Sequence, residues 1–459
     1  MEALANLPFI RLSTDKAGVL EAGSALSLPA GTTDLIVMSH GWRNDTDDAL
    51  TLYSTLIGNV KQAAGATFAA NNRSWAVAGV FWPAYRFEPD LSIRAQPQTG
   101  APAPTGGALA IGDNDLPEHD LRTYAEEFAE LLDCDTDAFA AAALKGANGG
   151  KSANDFFKLL RSNLTPDPKL KGEHKRLLTA RGSEFLSDLK SAATAPTQFD
   201  TLEPAAGAGE AAGFTDIIRQ VQRVFTGGRA AVATALNYAT YYEMKARAGV
   251  IGKALAPVVE QAAGNGVRVH LIGHSFGARL VTSLANELAS LKPASMSLLQ
   301  GAFSHNALGI KSNQPGGAAT DGLFRKVIAG KRVSGPFLVT HTRRDTAVGF
   351  AYPAASALSG TTAANFIEAA QAYLGGPTDP YGGIGANGAL SLKPGEDVAH
   401  VAVLRNGKPL LAPRGNPGAA AAPVLSRGLV NNVLADAIIS EHWDVKNPNV
   451  AALVWAAIG

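Results

Sequence analysis

Cysteine is almost absent. The chain of 459 residues carries one, Cys134, so no disulfide can form within it and cross-linking is excluded as a source of stability. A nearly thiol-free chain fits a reducing compartment, and a cytoplasmic location is the expectation. Cys134 stands between Asp133 and Asp135; acidic neighbours disfavour a thiolate, which argues against it as a nucleophile. An excess of one charge is missing too, because 40 Lys and Arg balance 40 Asp and Glu. No broad field of one sign draws in nucleic acid or an anionic membrane surface, and no nucleic-acid partner is expected. Long apolar runs are also lacking. A bilayer span needs about 18 to 20 apolar residues, whereas the most apolar helical stretch, 230–262, is interrupted by Lys245, Arg247, Lys253 and Glu260. The first eight residues, Met1 to Pro8, have neither a basic segment nor a continuous apolar core and do not read as a signal peptide. No histidine–carboxylate spacing suggests a zinc site.

What is present is a globular composition, 46% hydrophobic and 17% charged, with strands and helices in alternation. An apolar strand is expected at 34–40, ending at Gly41. A helix follows at 46–64, with Leu50, Tyr53, Leu56, Ile57 and Val60 at three- and four-residue steps and Asp45 or Thr46 as its cap. A second buried strand at 74–82 is closed by Pro83. That order implies a parallel pair covered by a helix. The alternation lapses over 86–228, which reads as one large, mainly helical insertion with helices at 121–132, 155–162 and 184–192. Small-residue linkers at 98–107 and 204–213 suit a mobile lid or cap.

Alternation resumes with a helix at 229–263, Gly249 being a candidate break. Strands follow before Ser275 and at 295–303, 335–341 and 398–404. Within the Gly/Pro-rich region 375–388, the stretch 381–388 reads as a flexible loop rather than a phosphate cradle, because no Lys-Ser/Thr follows its glycines and no strand runs into a helix around them. A hairpin or loop is expected at 408–422, a helix at 430–439, a polar loop at 440–444 and a final helix at 448–458. The expected fold is α/β, a doubly wound and mostly parallel sheet, with its core in 1–85 and 229–459.

The chemistry concentrates at Gly273-His274-Ser275-Phe276-Gly277, where an apolar strand runs into a helix. A serine on so tight a turn exposes its hydroxyl, and the glycines let strand and helix approach. A hydroxyl becomes a nucleophile when a neutral imidazole takes its proton, and the imidazole needs a carboxylate to fix its tautomer. Such groups belong at the carboxyl ends of strands. Asp345, just past the 335–341 strand, is the candidate acid; capping the turn at 347–351 is its alternative role. His442 in the polar loop is the candidate base, ahead of His305 and His400. Asp444 is the second choice for the acid and suits a cap of the last helix better. The candidate oxyanion donors are the N–H groups of Phe276 and Trp42, the latter presented by the turn His40-Gly41-Trp42. Arg43, Arg343 and Arg344 read as solvated loop charges before carboxylate binders, and Trp82, Tyr85 and Phe87 as core before pocket.

On His40-Gly41-Trp42, the Gly273–Gly277 elbow, Asp345 and His442, in that chain order, the sequence resembles the serine esterase/lipase branch of the α/β-hydrolase superfamily. The resemblance covers about 30–85 and 230–459 and leaves the insertion unassigned. A tryptophan follows Gly41 where some lipases continue with further glycines, which puts bulky tertiary esters in doubt as substrates. The resemblance implies two-step hydrolysis of a small-molecule or lipid ester through an acyl-enzyme, with no metal and no diffusible cofactor. A serine peptidase or amidase using the same groups is the alternative, and a non-catalytic scaffold whose insertion binds a partner is the third reading.

Overall fold

The computed structural model describes residues 2–42, 45–84, 115–167, 170, 173–194, 227–264, 266–314, 320–360, 365, 375–403, 411–412 and 425–459. Arg43, Tyr85, Phe87 and the linkers at 98–107 and 204–213 lie outside them. The chain divides into two compact units, the first formed by Met1–Arg86, Met244–Pro353 and Tyr373–Gly459, the second by Phe87–Glu243 and Ala354–Ala372. The second unit does not coincide with the stretch 86–228 read from composition as an insertion. One continuous helix spans Gly228–Ala263, so the boundary falls inside regular structure where no change of composition marks it.

The first unit is built on one sheet. Its strands are β1 (Glu2–Leu4), β2 (Leu7–Ser13), β3 (Asp34–Ser39), β4 (Trp75–Phe81), β5 (Arg268–His274), β6 (Ser295–Leu299), β7 (Phe337–His341), β8 (Asp397–Val403), β9 (Leu411–Ala412) and β10 (Val430–Leu434). They lie in the order β1-β2-β4-β3-β5-β6-β7-β10-β8-β9. β1 and β9 pair antiparallel at the two edges, and every other pairing between these strands is parallel among the described residues. The protein is thus an α/β protein with a mostly parallel sheet. The inner strands β3, β4, β6 and β7 are buried along their whole length, as expected where helices cover both faces.

Among the helices are α1 (Thr46–Ala64), α2 (Glu118–Leu132), α3 (Thr136–Gly146), α4 (Gly150–Asn163), α5 (Lys175–Thr179), α6 (Gly182–Thr194), α7 (Gly228–Ala263), α8 (Phe276–Glu287) and α9 (Pro448–Ile458). The Asp45 carboxylate accepts from the N–H groups of Asp47 and Asp48, both at 2.8 Å, and so caps α1. Gly65, at φ 53°, ends it. The stripe Leu52, Tyr53, Leu56, Ile57 and Val60 is buried, and α1 packs against α9. In the second unit, rings of α2, α3, α4 and α6 form a ladder. Phe128–Phe139, Phe139–Phe156 and Phe157–Phe185 are 5.7, 5.6 and 5.5 Å apart between centroids.

Several expectations fail here. Residues 430–439 do not form a helix. Val430–Leu434 is the inner strand β10, between β7 and β8. Its two asparagines look like a helix surface in sequence, yet both are buried and tied to loop backbone. Asn432 accepts from Ala389 N–H at 2.7 Å and donates back to Ala389 O at 3.0 Å, while Asn431 does the same with Ser426 at 2.8 and 3.0 Å. Helix α7 does not break at Gly249. Ser283 Oγ donates to the Gly249 carbonyl at 2.7 Å, and a Cβ on Gly252 would lie 2.2 Å from Leu280 O of α8. Glycine here admits a neighbouring helix rather than ending this one. The stretch 381–388 is no flexible loop. Ile384–Asn387 is a short buried helix held by Ile384 N–H to Phe303 O at 2.9 Å and Gly385 N–H to Gly301 O at 3.0 Å. β1, β2 and α3 have no counterpart in the sequence reading. Leu411–Ala412 pairs antiparallel with β8, and the rest of 408–422 lies outside the described residues.

At the amino ends of the inner strands a buried carboxylate ties the sheet together. Asp34 accepts from Arg73 Nη2 at 2.8 Å, Arg268 Nη2 at 2.8 Å, His270 Nε2 at 3.1 Å and Thr33 Oγ1 at 2.7 Å. Burial pushes its pKa up, but these hydrogen bonds outweigh it and hold the carboxyl far below the usual carboxylate range. A depressed folded pKa contributes stability that is complete above the unfolded value of about 4 and is lost as pH falls through the folded one. Replacing Asp34 by Asn leaves a buried arginine short of its counter-charge, and a loss of about 3–5 kcal/mol is expected in urea unfolding at neutral pH. The deficit should shrink as pH falls below 4; a constant deficit from pH 7 to pH 3 would refute the assignment.

Candidate active site

Strand β5 delivers Ser275 to the start of α8 on a strained backbone. Ser275 has φ 56° and ψ −124°, a region that costs a non-glycine residue about 1–3 kcal/mol. Three backbone hydrogen bonds hold it there. Ser275 N–H donates to Leu299 O at 3.1 Å, and Ser275 O accepts from Ala278 N–H at 3.1 Å and Ala302 N–H at 3.0 Å. Two glycines of the elbow, and one before it, are required by space. A Cβ on Gly273 would lie 2.4 Å from Gly277 O, and one on Gly277 2.2 Å from Ser39 O at the end of β3. A Cβ on Gly41 would sit 2.5 Å from Ser275 Cβ and 3.0 Å from its Oγ. The turn after β3 therefore passes directly against the serine side chain.

The structure brings three distant residues into one chain of hydrogen bonds. His442 Nε2 lies 2.9 Å from Ser275 Oγ, and His442 Nδ1 lies 2.7 Å from Asp345 Oδ2. An ionised carboxylate only accepts, so Nδ1 carries the proton and Nε2 is left as the acceptor facing the hydroxyl. All three side chains are buried. Asp345 makes the contacts that both readings of it require. Oδ2 takes the histidine, while Oδ1 accepts from Val348 N–H at 3.1 Å and so caps the turn at Ala347–Ala351.

The other candidates fall elsewhere. Asp444 does not cap α9, whose cap is Asn447. It accepts instead from Ser440 N–H and Oγ at 3.0 and 2.9 Å and closes the loop that carries His442. His305 packs its ring on Gly382, where a Cβ would lie 2.4 Å from its Cε1, and burial pushes its pKa down to about 4. His400 falls within β8. Arg343 is paired with Asp436, with Nε 2.8 Å from the carboxylate, and Arg344 is exposed. Trp82 is buried, and its Nε1 donates to His40 O at 3.1 Å.

Around the relay the supporting groups are aromatic and neutral. His40 stacks on Trp82 with centroids 5.6 Å apart, and burial pushes its pKa down to about 4. Its N–H donates to Tyr53 Oη at 2.9 Å, which donates onward to Val80 O at 2.7 Å, so α1 fixes the turn beside the serine. Trp42 and Phe276 face each other with centroids 6.5 Å apart. His274, inside the elbow, meets His442 at 4.8 Å between centroids, and its Nε2 lies 2.9 Å from His442 O. Burial, with His442 beside it, holds His274 well below the usual histidine range; a carbonyl only accepts, so Nε2–H is the donor and the contact anchors the backbone of His442.

Sequence reasoning missed Tyr53's part, the anchoring by His274, and Gln300. Gln300 follows β6, is fully buried, and donates from Nε2 to Asp345 Oδ2 at 3.0 Å. An exposed-seeming glutamine after a strand carries no motif. Expected inside the strand at 295–303, it stands instead just past β6, which ends at Leu299, beside the strand that precedes Asp345. Compared with known proteins, the chain matches no family model, no curated protein and no solved structure.

The close approach at the elbow has a measurable cost. Gly277→Ala should destabilise the protein by about 1–3 kcal/mol, as overpacking against backbone does. Gly58→Ala in α1, where a Cβ meets nothing within 4 Å, should stabilise it by about 0.5–1 kcal/mol. Thermal or urea unfolding of the pair checks both signs, and equal effects would contradict the packing described.

Proposed function

We propose that the chain is a serine hydrolase of carboxylic esters, working through Ser275, His442 and Asp345 on an α/β-hydrolase fold. The observation that carries the reading is the continuous relay Asp345 Oδ2–His442 Nδ1 at 2.7 Å and His442 Nε2–Ser275 Oγ at 2.9 Å, on a serine held at φ 56°. Its placement supports the fold assignment. The nucleophile follows β5, the acid follows β7 and the base follows β10, the chain order of that superfamily.

In this mechanism Ser275 Oγ attacks the ester carbonyl as its proton passes to His442 Nε2. The imidazolium so formed faces the Asp345 carboxylate, which stabilises it without taking its proton. Collapse of the tetrahedral intermediate expels the alcohol, which receives the proton from Nε2. A water molecule then repeats the attack on the acyl-enzyme, giving its proton to His442, and release of the acid restores the Ser275 hydroxyl. The negative oxygen of each intermediate needs preorganised donors. The N–H of Phe276, at the start of α8, and the N–H of Trp42, after the glycine packed on Ser275, are assigned that role. Esters are preferred over amides as the substrate class on the resemblance to esterases and lipases.

A fluorophosphonate tests the assignment at the reacting atom: Ser275 Oγ bonds to phosphorus and fluoride leaves. Peptide mapping should find the adduct on Ser275. With p-nitrophenyl esters of graded chain length, Ser275→Ala and His442→Ala should lower kcat by about four to six orders of magnitude and Asp345→Asn by about four. Turnover undiminished in Ser275→Ala, or an adduct on another residue, would reject the reading. Faster turnover of peptide amides than of esters would transfer it to the peptidase alternative.

A further inference from the structure

Gln300 stands between the nucleophile and the acid, at the tip of β6. It is a non-glycine residue at φ 46°, so the backbone accepts strain where this side chain is presented. Its neighbours on both sides hold the nucleophile: Leu299 O accepts from Ser275 N–H, and Ala302 N–H donates to Ser275 O. Its own side chain points to the acid. Nε2 lies 3.0 Å from Asp345 Oδ2 and 3.0 Å from Gly385 O, two acceptors. Oε1 lies 3.1 Å from Thr340 Oγ1, whose hydroxyl also accepts from Gln300 N–H at 3.2 Å. A flipped amide would aim its oxygen at two acceptors at once, so the orientation is forced. Each polar atom of the side chain has a partner, and the partners come from β7, from Asp345 just past it and from the short helix at Ile384–Asn387.

We infer that Gln300 is a positioning residue for the reaction: it locks the Asp345 carboxylate in the one rotation that serves His442, and links that carboxylate to the backbone of the nucleophile through residues 299–302. The inference rests on the reading of Ser275, His442 and Asp345 as a hydrolytic relay. The physical argument is the sharing of Oδ2. That oxygen receives His442 Nδ1 and Gln300 Nε2 together, while Oδ1 receives Val348 N–H. With donors on both oxygens the carboxylate cannot turn about its bond to Cβ without disturbing all three hydrogen bonds in a buried site. Without the amide, one donor remains on each oxygen. The rotation that keeps His442 Nδ1 aligned is then less defined, and a misaligned imidazole costs rate rather than substrate affinity.

Two variants separate this role from simple packing. Gln300→Leu removes the donor at similar size. It should lower kcat for p-nitrophenyl esters about 10- to 100-fold, the span expected for losing a hydrogen bond to a charged group, with KM within twofold and the fluorophosphonate reaction slowed in parallel. Gln300→Glu can donate to Asp345 only when the two carboxyls share a proton. Its activity relative to Gln300→Leu should therefore rise as pH is lowered and vanish as pH is raised. Proton NMR gives a readout independent of turnover: the far-downfield resonance of the His442 Nδ1 proton bound to Asp345 should move in Gln300→Leu. Wild-type kcat, pH profile and resonance position in both variants would overturn the inference. So would a loss of rate that merely follows loss of folded protein by circular dichroism. A wild-type protein that neither hydrolyses esters nor reacts with the fluorophosphonate removes the hydrolase reading instead, and the resonance still decides whether Gln300 holds the Asp345–His442 pair.

Discussion

Backbone meets backbone where β3 ends and α8 begins, and the rest of the site depends on that contact. Gly277 lets the helix start against Ser39 O, and Gly41 lets the following turn lie on the serine side chain. A methyl group at either position would drive the two segments apart by a large part of an ångström. The strained serine is the consequence. Its φ of 56° is tolerated because Leu299, Ala278 and Ala302 hold its N–H and carbonyl, and strain of this kind persists only where the surroundings over-determine it.

The sheet is secured by buried carboxylates at opposite ends, and the two are handled differently. At the amino ends, Asp34 is surrounded by two arginines, a neutral histidine and a hydroxyl, which keep it ionised and immobile. At the carboxyl ends, Asp345 has no arginine partner among its hydrogen bonds; it accepts from an imidazole, an amide and a backbone N–H. Neutral donors orient the carboxylate without cancelling its charge, which remains available to an imidazolium. The first arrangement serves stability, whereas the second is suited to a charge that appears and disappears on a neighbour.

Legibility in the sequence followed the locality of each signal. The elbow was readable because strand, turn glycines and helix are contiguous, and Asp345 and His442 because each ends an element or occupies a short polar loop. The α/β class and helices such as Thr46–Ala64 followed from periodicity and capping residues, while Pro448–Ile458 was placed although its cap is Asn447 and not Asp444. What stayed hidden depends on partners far along the chain. Asn431 and Asn432 look like surface residues until the loops at 426 and 389 supply their hydrogen bonds. The glycines of 381–388 suggested freedom, yet Gly382, Gly383 and Gly385 pack tightly against His305, Val348 and Gln300. Gln300 itself belongs to no motif, and its meaning comes wholly from Thr340, Asp345 and Gly385.

The central claim is that an acyl group passes through Ser275, and it can be weighed directly. A reaction with a p-nitrophenyl ester, quenched in acid during the first turnover, should yield protein heavier by one acyl group, with the added mass on the peptide that contains Ser275. Accumulation of product while the protein mass stays unchanged at every quench time, or an acyl group recovered on a different residue, would contradict the account.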